Sequence, residues 1–158
     1  DGKTVMALCS VVIISFFLEV IGVKTGIIFG GYIYGDTLGP KIMNTPVMIG
    51  INWVMLVYCT KIIAGRISKN EIIRIVLAPS LMVSYDLVLE QSAPILGMWY
   101  WKASVVPLRN YLAWFVISLF FHFILKQMNI SYSNKMALPV FIIQFSFFLI
   151  LMIYYSFI

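Results

Sequence analysis

The stretch VMALCSVVIISFFLEVIGV, residues 5–23, carries no charged side chain before Glu19. A helix that crosses the hydrocarbon core of a bilayer needs about 20 consecutive, predominantly apolar residues. This stretch therefore predicts a membrane-spanning helix near the start of the chain. Four further apolar segments of similar length follow it, at residues 47–64, 71–89, 110–125 and 136–155.

The composition of the whole chain also indicates a lipid environment. Of the 158 residues, 62% are hydrophobic and 11% are charged, whereas soluble domains have about 45–50% apolar and about 25% charged residues. We therefore predict an all-α, polytopic membrane helix bundle of about five transmembrane helices, forming a single integral membrane domain over residues 1–158. Because the chain starts at Asp1 rather than at Met, we expect the full protein to have further N-terminal sequence.

Two segments between the predicted helices break the apolar pattern. Residues 25–46 contain five glycines and two prolines, and glycine at this density disfavours a spanning helix. The segment is nevertheless apolar, so it predicts an interfacial or re-entrant element packed against protein. Residues 91–109 form a second irregular segment, which contains the aromatic cluster WYW at residues 99–101.

The order of the five helices determines which loops share a side of the membrane. Alternate loops lie on one side, so both irregular segments are expected to emerge on the same face. The opposite face would carry seven of the 11 Lys and Arg residues, an excess that favours it as the cytoplasmic side. The formal charge of +5 is scattered among short loops rather than gathered on one basic face, so no nucleic-acid partner is predicted.

Polar and aromatic side chains lie at four helix ends on the face of the irregular segments. They are Glu19, Asn52, Trp53, Asp86, Glu90, Asn110 and Trp114. Ionisable groups within membrane spans are rare, and by default they indicate a functional site. We therefore expect Glu19, Asp86 and Glu90 to meet in one polar, aromatic pocket within the membrane.

The pair Asp86 and Glu90 has the spacing of a catalytic acid pair. Residues four apart lie on one stripe of a helix, about 6 Å from each other. When two carboxyl groups lie this near each other in a low-dielectric medium, ionising both costs much free energy. One of them is therefore expected to keep the proton that a general acid needs at neutral pH. The alternative is an interfacial pair solvated by lipid headgroups. For Glu19, the alternative is an ion pair with Lys24 at the membrane surface.

The aromatic residues of this face also allow two interpretations. Trp and Tyr are enriched at membrane interfaces as anchors. Their ring faces can also stabilise a developing cation next to the acids. The aromatic candidates for such a site are Tyr32, Tyr34, Trp53, Trp99, Trp101 and Trp114.

Several short segments resemble one known family in both order and spacing. They are EVIGVKTGIIFGGYIY (residues 19–34), LGP (38–40), Pro46, Trp53, YDLVLE (85–90), WYW (99–101) and PLRNYLAW (107–114). Together they resemble the CruF-type carotenoid 1′,2′-hydratases, which are also called carotenoid biosynthesis proteins. The likeness covers about residues 19–114.

The resemblance implies a hydro-lyase that adds water to the terminal C=C of an acyclic carotenoid and gives a tertiary alcohol, without a metal or other cofactor. It implies Asp86 or Glu90 as the proton donor, with the other carboxyl and Glu19 orienting water or stabilising positive charge. The substrate-binding residues that it implies are Tyr32, Tyr34, Asn52, Trp53, Trp99, Trp101, Asn110 and Trp114. The expected partners are a carotenoid or other polyisoprenoid, the lipid bilayer and other carotenoid-pathway enzymes. The expected location is a bacterial or archaeal cytoplasmic membrane, with several crossings.

A rival interpretation comes from a different class of protein. In a small membrane transporter or channel subunit, the same acids would relay protons or bind a cation. A purely structural membrane subunit is the third reading. Chemical change of a carotene distinguishes the enzyme from both of these.

Overall fold

The computed structural model of the chain describes residues 2–130 and 134–157. Within these residues it contains five helices, and each is long and apolar enough to cross a membrane. The helices are α1 (Gly2–Thr25), α2 (Met48–Ile67), α3 (Glu71–Ser92), α4 (Leu108–Gln127) and α5 (Ala137–Ser156). The prediction of an all-α, multi-pass membrane fold is confirmed.

The helix boundaries follow local sequence signals. Helix α3 begins directly after Asn70, whose Oδ1 accepts a hydrogen bond from the backbone N–H of Ile72 at 2.9 Å. This is the geometry of an N-cap, which satisfies one of the unpaired donors of the first turn. The predicted spans were too short by two or three residues at several ends. Helix α2, for example, continues through Gly65 to Ile67.

The two irregular segments contain short strands that the sequence analysis did not predict. They are β1 (Tyr32–Tyr34), β2 (Lys41–Ile42), β3 (Thr45–Pro46) and β4 (Trp99–Trp101). Strand β1 pairs antiparallel with β4, with Tyr32 opposite Trp101 and Tyr34 opposite Trp99. The two irregular segments, which were expected to emerge on the same face, are thus joined by strand pairing.

The chain divides into two compact units. The first contains the described residues up to Val54 together with Ala93–Ala113, and the second contains Met55–Ser92 together with the described residues from Trp114 onward. In the first unit, α1 and α2 approach closely at Gly50, where an added Cβ would lie 2.8 Å from the carbonyl oxygen of Val12.

In the second unit, α3 packs against α5. The ring of Tyr85 on α3 lies 6.0 Å from the ring of Phe141 and 5.8 Å from that of Phe148. The other sides of α5 are open and apolar, with Ile143 67% exposed and Ile150 65% exposed. An apolar helix surface of this kind fits contact with lipid tails rather than with water.

Candidate functional site

Three hydrogen-bond donors converge on the carboxyl group of Glu19 in the first unit. The hydroxyl of Tyr32 donates to Oε2 at 2.6 Å, and the hydroxyl of Tyr34 donates to the same oxygen at 2.9 Å. The indole Nε1 of Trp53 donates to Oε1 at 3.0 Å. Both carboxyl oxygens are thus held in place, and Glu19 is only 4% exposed. A carboxyl group with this support keeps one orientation inside an apolar environment. We call these four residues the Glu19 cluster.

The alternation of side chains along β1 brings both tyrosines to the same carboxyl group. Successive side chains of a strand point to opposite faces, so Tyr32 and Tyr34 share one face, and Ile33 between them is 55% exposed. Strand β4 has the same pattern, since Trp99 and Trp101 are buried. The sequence motifs YIY and WYW are therefore two short amphipathic strands.

The buried faces of β1 and β4 form an aromatic wall beside the Glu19 cluster. The ring centroids of Tyr32 and Trp101 are 5.0 Å apart, and those of Tyr34 and Trp99 are 6.0 Å apart. Two pairs of rings thus follow the strand pairing. The face of an aromatic ring carries negative potential that attracts cations.

A glycine on α1 makes room for this wall. Gly22 lies one turn after Glu19, and a Cβ at this position would lie 2.5 Å from Cδ2 of Phe29 and 3.6 Å from the hydroxyl of Tyr32. Phe29 is 1% exposed, so its ring has little space to move away. The absence of a side chain at Gly22 allows the glycine-rich segment to pack directly on α1.

The electrostatic environment favours the protonated form of Tyr34. Burial raises the pKa of the Tyr34 phenol well above its ordinary value, and the neighbouring Glu19 charge adds to the increase. The phenol therefore remains a hydrogen-bond donor throughout the neutral range. The cluster as a whole can hold a buried negative charge, orient a water molecule or stabilise a nearby cation.

Glu19 does not form the ion pair with Lys24 that was the alternative for it. Lys24 instead directs its Nζ toward Sδ of Met43, at 3.8 Å. Residues five apart lie on different faces of a helix, so the two side chains of α1 diverge. The interpretation of Glu19 as a surface charge neutralised by Lys24 was therefore wrong.

The other predicted site residues of the first unit have varied surroundings. Asn110 is 2% exposed in the first turn of α4, where its backbone N–H donates to the carbonyl oxygen of Pro107 at 2.9 Å. Asn52 is half-buried near the start of α2. A substrate-binding role for either asparagine stays a prediction.

Asp86, Glu90 and Trp114 belong to the second unit. Asp86 and Glu90 are 1% and 4% exposed, and both lie within the continuous helix α3. Trp114 is 7% exposed on α4. The expectation of a buried pair of carboxyls on one helix is met. The meeting of this pair with Glu19 in one pocket stays a prediction.

A second buried polar group in this unit was not recognised from the sequence. Nε2 of His122 lies 3.1 Å from the hydroxyl of Thr60, and Nδ1 lies 2.7 Å from the carbonyl oxygen of Ser118. The hydroxyl of Ser118 also lies 2.9 Å from Sδ of Met82. Each of these residues is a single polar side chain within an apolar helix, and no sequence pattern links them. Their contacts become visible only when the helices are packed together.

Comparison with known proteins identifies the family. A family model described as "Carotenoid biosynthesis protein" matches residues 1–158. The chain belongs to the carotenoid biosynthesis protein family. A curated relative is the bisanhydrobacterioruberin hydratase of Haloarcula japonica, which is 26% identical over 122 residues.

The match covers 72% of this chain and 42% of the relative, so the chain spans less than half of that hydratase. No solved structure matches the chain. Membership in the carotenoid biosynthesis protein family confirms the resemblance drawn from the sequence motifs.

Proposed function

We propose that this chain is a hydratase that adds water to the terminal C=C of an acyclic carotenoid and gives a tertiary alcohol. The observation that carries the proposal is the Glu19 cluster, in which a buried carboxyl group is held by three donors beside an aromatic wall. Family membership and the name of the Haloarcula japonica relative support it. The reaction class is that of a hydro-lyase.

The chemistry needs an acid, a water molecule and a surface that tolerates positive charge. A carboxylic acid gives its proton to the less substituted carbon of the alkene, whose π electrons form the new C–H bond. The other carbon becomes a tertiary cation, and the oxygen of water bonds to it. The surplus proton then passes from that oxygen to a carboxylate. One water is consumed and no electrons are exchanged, so we propose that no redox cofactor takes part.

The Glu19 cluster provides the features that suit the second half of this reaction. Tyr32, Tyr34 and Trp53 hold its carboxyl group in place, so the group does not have to reorient when charge develops in the substrate. A carboxylate in this position can accept the proton that water loses. The rings of Tyr32 and Trp101 offer faces that stabilise a cation.

For the proton donor we propose Asp86 or Glu90. Both carboxyls are nearly fully buried on α3, four residues apart. A carboxylic acid that keeps its proton at neutral pH is the donor that alkene protonation requires. We assign the substrate to the membrane phase, since an acyclic carotenoid is soluble there. The location we propose is a bacterial or archaeal cytoplasmic membrane that also holds other carotenoid-pathway enzymes.

The test is expression of the full-length protein in cells that make an acyclic carotene, followed by chromatography and mass spectrometry of the pigments. We expect a product heavier by one molecule of water. Glu19→Gln should lower its yield at least about a hundredfold, because it removes the charge but keeps the shape. Asp36→Asn is the matched control, since the Asp36 side chain lies fully exposed in the segment that follows α1. Unchanged pigment from a membrane-inserted protein would overturn the proposal.

The same assay distinguishes the two candidate donors. The variant that removes the donor, Asp86→Asn or Glu90→Gln, should lose the product, while the other should retain part of the activity. Equal and full activity in both variants would exclude this pair as the acid. A variant is scored only where immunoblotting shows normal membrane insertion.

A further inference from the structure

A cavity of about 610 Å³ lies in the second unit, where the end of α2, the beginning of α3 and the end of α4 meet. Its volume falls within the range of small-ligand pockets, which is about 300–1,000 Å³. The hydratase proposal assigns no role to it. From the sequence alone, its Lys and Arg residues were interpreted as markers of membrane topology.

The cavity wall has a large excess of positive charge. Four cationic side chains and one carboxylate line it: Lys61, Arg66, Arg74, Lys126 and Glu71. Glu71 contacts two of the cations, Arg74 at 2.7 Å and Lys126 at 3.9 Å. One carboxylate cannot neutralise four cations, so three positive charges remain in excess. A concave wall of one sign of charge concentrates potential and attracts the opposite charge.

Two guanidinium groups of this wall are fixed in position by the chain. Nη2 of Arg66 donates to the carbonyl oxygen of Asn134 at 2.8 Å. Nε of Arg74 donates to the carbonyl oxygen of Ser68 at 2.6 Å. A guanidinium has five N–H donors, so a guanidinium anchored in this way can still present other donors to an anion.

The half-buried Lys61 is the second indication of a ligand. It lies inside α2 rather than in a loop, and it interacts electrostatically with Arg74, Lys126 and Glu71. Membrane topology and helix-dipole effects account for cations in the last turn of a helix, such as Arg66 and Lys126. Lys61 lies more than one turn before the end of α2 and lines the same cavity as three other cations.

We propose that this cavity binds a phosphate group. A phosphate group carries about 1.5 to 2 negative charges at neutral pH, which offset much of this excess, and its oxygens match the donor fork of arginine. The cavity lies at helix ends, and the ends of a helix that spans a bilayer reach its headgroup layer. The same chemistry is presented by the headgroup of an anionic lipid and by free inorganic phosphate or diphosphate.

The test measures binding to the purified full-length protein in a neutral detergent. The probes are short-chain phosphatidic acid, inorganic phosphate, inorganic diphosphate and short-chain phosphatidylcholine, and the readout is the shift of the thermal unfolding midpoint with probe concentration. Phosphatidic acid alone raising the midpoint would assign the cavity to a lipid headgroup. A rise with inorganic phosphate or diphosphate at similar concentrations would assign it to a free anion.

Charge-removing variants locate the site. Arg66→Gln and Lys126→Gln should each weaken the bound probe about tenfold, because each removes a charge-assisted hydrogen bond. Lys69→Gln is the matched control: Lys69 lies in the α2–α3 loop, three residues after Arg66, and it is not part of the cavity wall. Lys126→Arg keeps the charge and should bind like the unaltered chain, which separates a binding defect from misfolding.

Two results would overturn this proposal. One is the absence of a midpoint shift with all three anionic probes. The other is a loss of binding in Lys69→Gln as large as in Arg66→Gln, since this would indicate a diffuse basic surface rather than a site. Neither result depends on carotene hydration, so this proposal and the hydratase proposal can fail separately.

Discussion

The substitution Tyr32→Phe removes one hydroxyl group, and its effect on stability tests the hydrogen bonding of the Glu19 cluster. The hydroxyl donates to Oε2 of Glu19 at 2.6 Å, a length typical of an O–H donor on an ionised carboxylate. The phenyl ring of phenylalanine fills nearly the same space, so the packing against Trp101 is retained. The change therefore removes the interactions of the hydroxyl with Glu19 and Tyr34 and keeps the ring in place.

The size of the effect reports the charge of Glu19. A hydrogen bond to a charged group contributes about 1.5–3 kcal/mol, whereas neutral pairs within membrane proteins average about 0.6 kcal/mol. We expect Tyr32→Phe to lower the free energy of unfolding by about 1.5–3 kcal/mol. Tyr34→Phe should cost less, because its hydrogen bond is longer, at 2.9 Å.

The assay is equilibrium unfolding in mixed micelles, followed by tryptophan fluorescence. Tyr100→Phe is the matched control, since Tyr100 lies on β4 but is 45% exposed, and surface changes usually remain within about 0.5 kcal/mol. A double-mutant cycle with Glu19→Gln should give a coupling energy of at least about 1 kcal/mol. Strictly additive effects, or equal losses in Tyr32→Phe and Tyr100→Phe, would refute the reasoning.

Two further changes probe the same cluster. Gly22→Ala places a Cβ 2.5 Å from Phe29 and should destabilise the protein by about 1–3 kcal/mol through overpacking. Its control is Gly65→Ala, which has open space around the added Cβ and should be neutral or stabilising. Equal unfolding midpoints for the two variants would contradict this packing. Because burial raises the pKa of the Tyr34 phenol, its contribution to stability is complete below the ordinary value of 10.0 and is lost as the pH rises through the raised value. Unfolding midpoints measured across alkaline pH should therefore fall less steeply in Tyr34→Phe, and an unchanged slope would count against a buried phenol.

The helices could be predicted from the sequence because the bilayer sets their length. An apolar run such as residues 5–23 has few alternatives in a chain of this composition. Some ends were less predictable: α2, for example, continues to Ile67, three residues beyond its predicted end. The short strands were missed because the YIY and WYW motifs are three residues long and pair only with each other, far apart in the chain.

The candidate site was predicted in its residue types but not in its contacts. Glu19, Tyr32, Tyr34 and Trp53 were all named from the sequence, and the structure joins them through hydrogen bonds. Which side chain donates to which oxygen of Glu19 could not be predicted, because this depends on the close approach at Gly22 and on the register of β1 with β4. The basic cavity was missed for a related reason. Its cations come from three helix ends, and each one alone has the pattern of a topology signal.

The central claim is that the chain adds water to a carotene, and isotopic labelling tests it most directly. The full-length protein in lipid nanodiscs is given an acyclic carotene in heavy-oxygen water, and in a parallel reaction in deuterium oxide. The account predicts a tertiary alcohol whose hydroxyl oxygen comes from water, with one solvent deuterium on the adjacent carbon, and no such product from Glu19→Gln. A product whose oxygen comes from dioxygen, or full activity in Glu19→Gln, would contradict it.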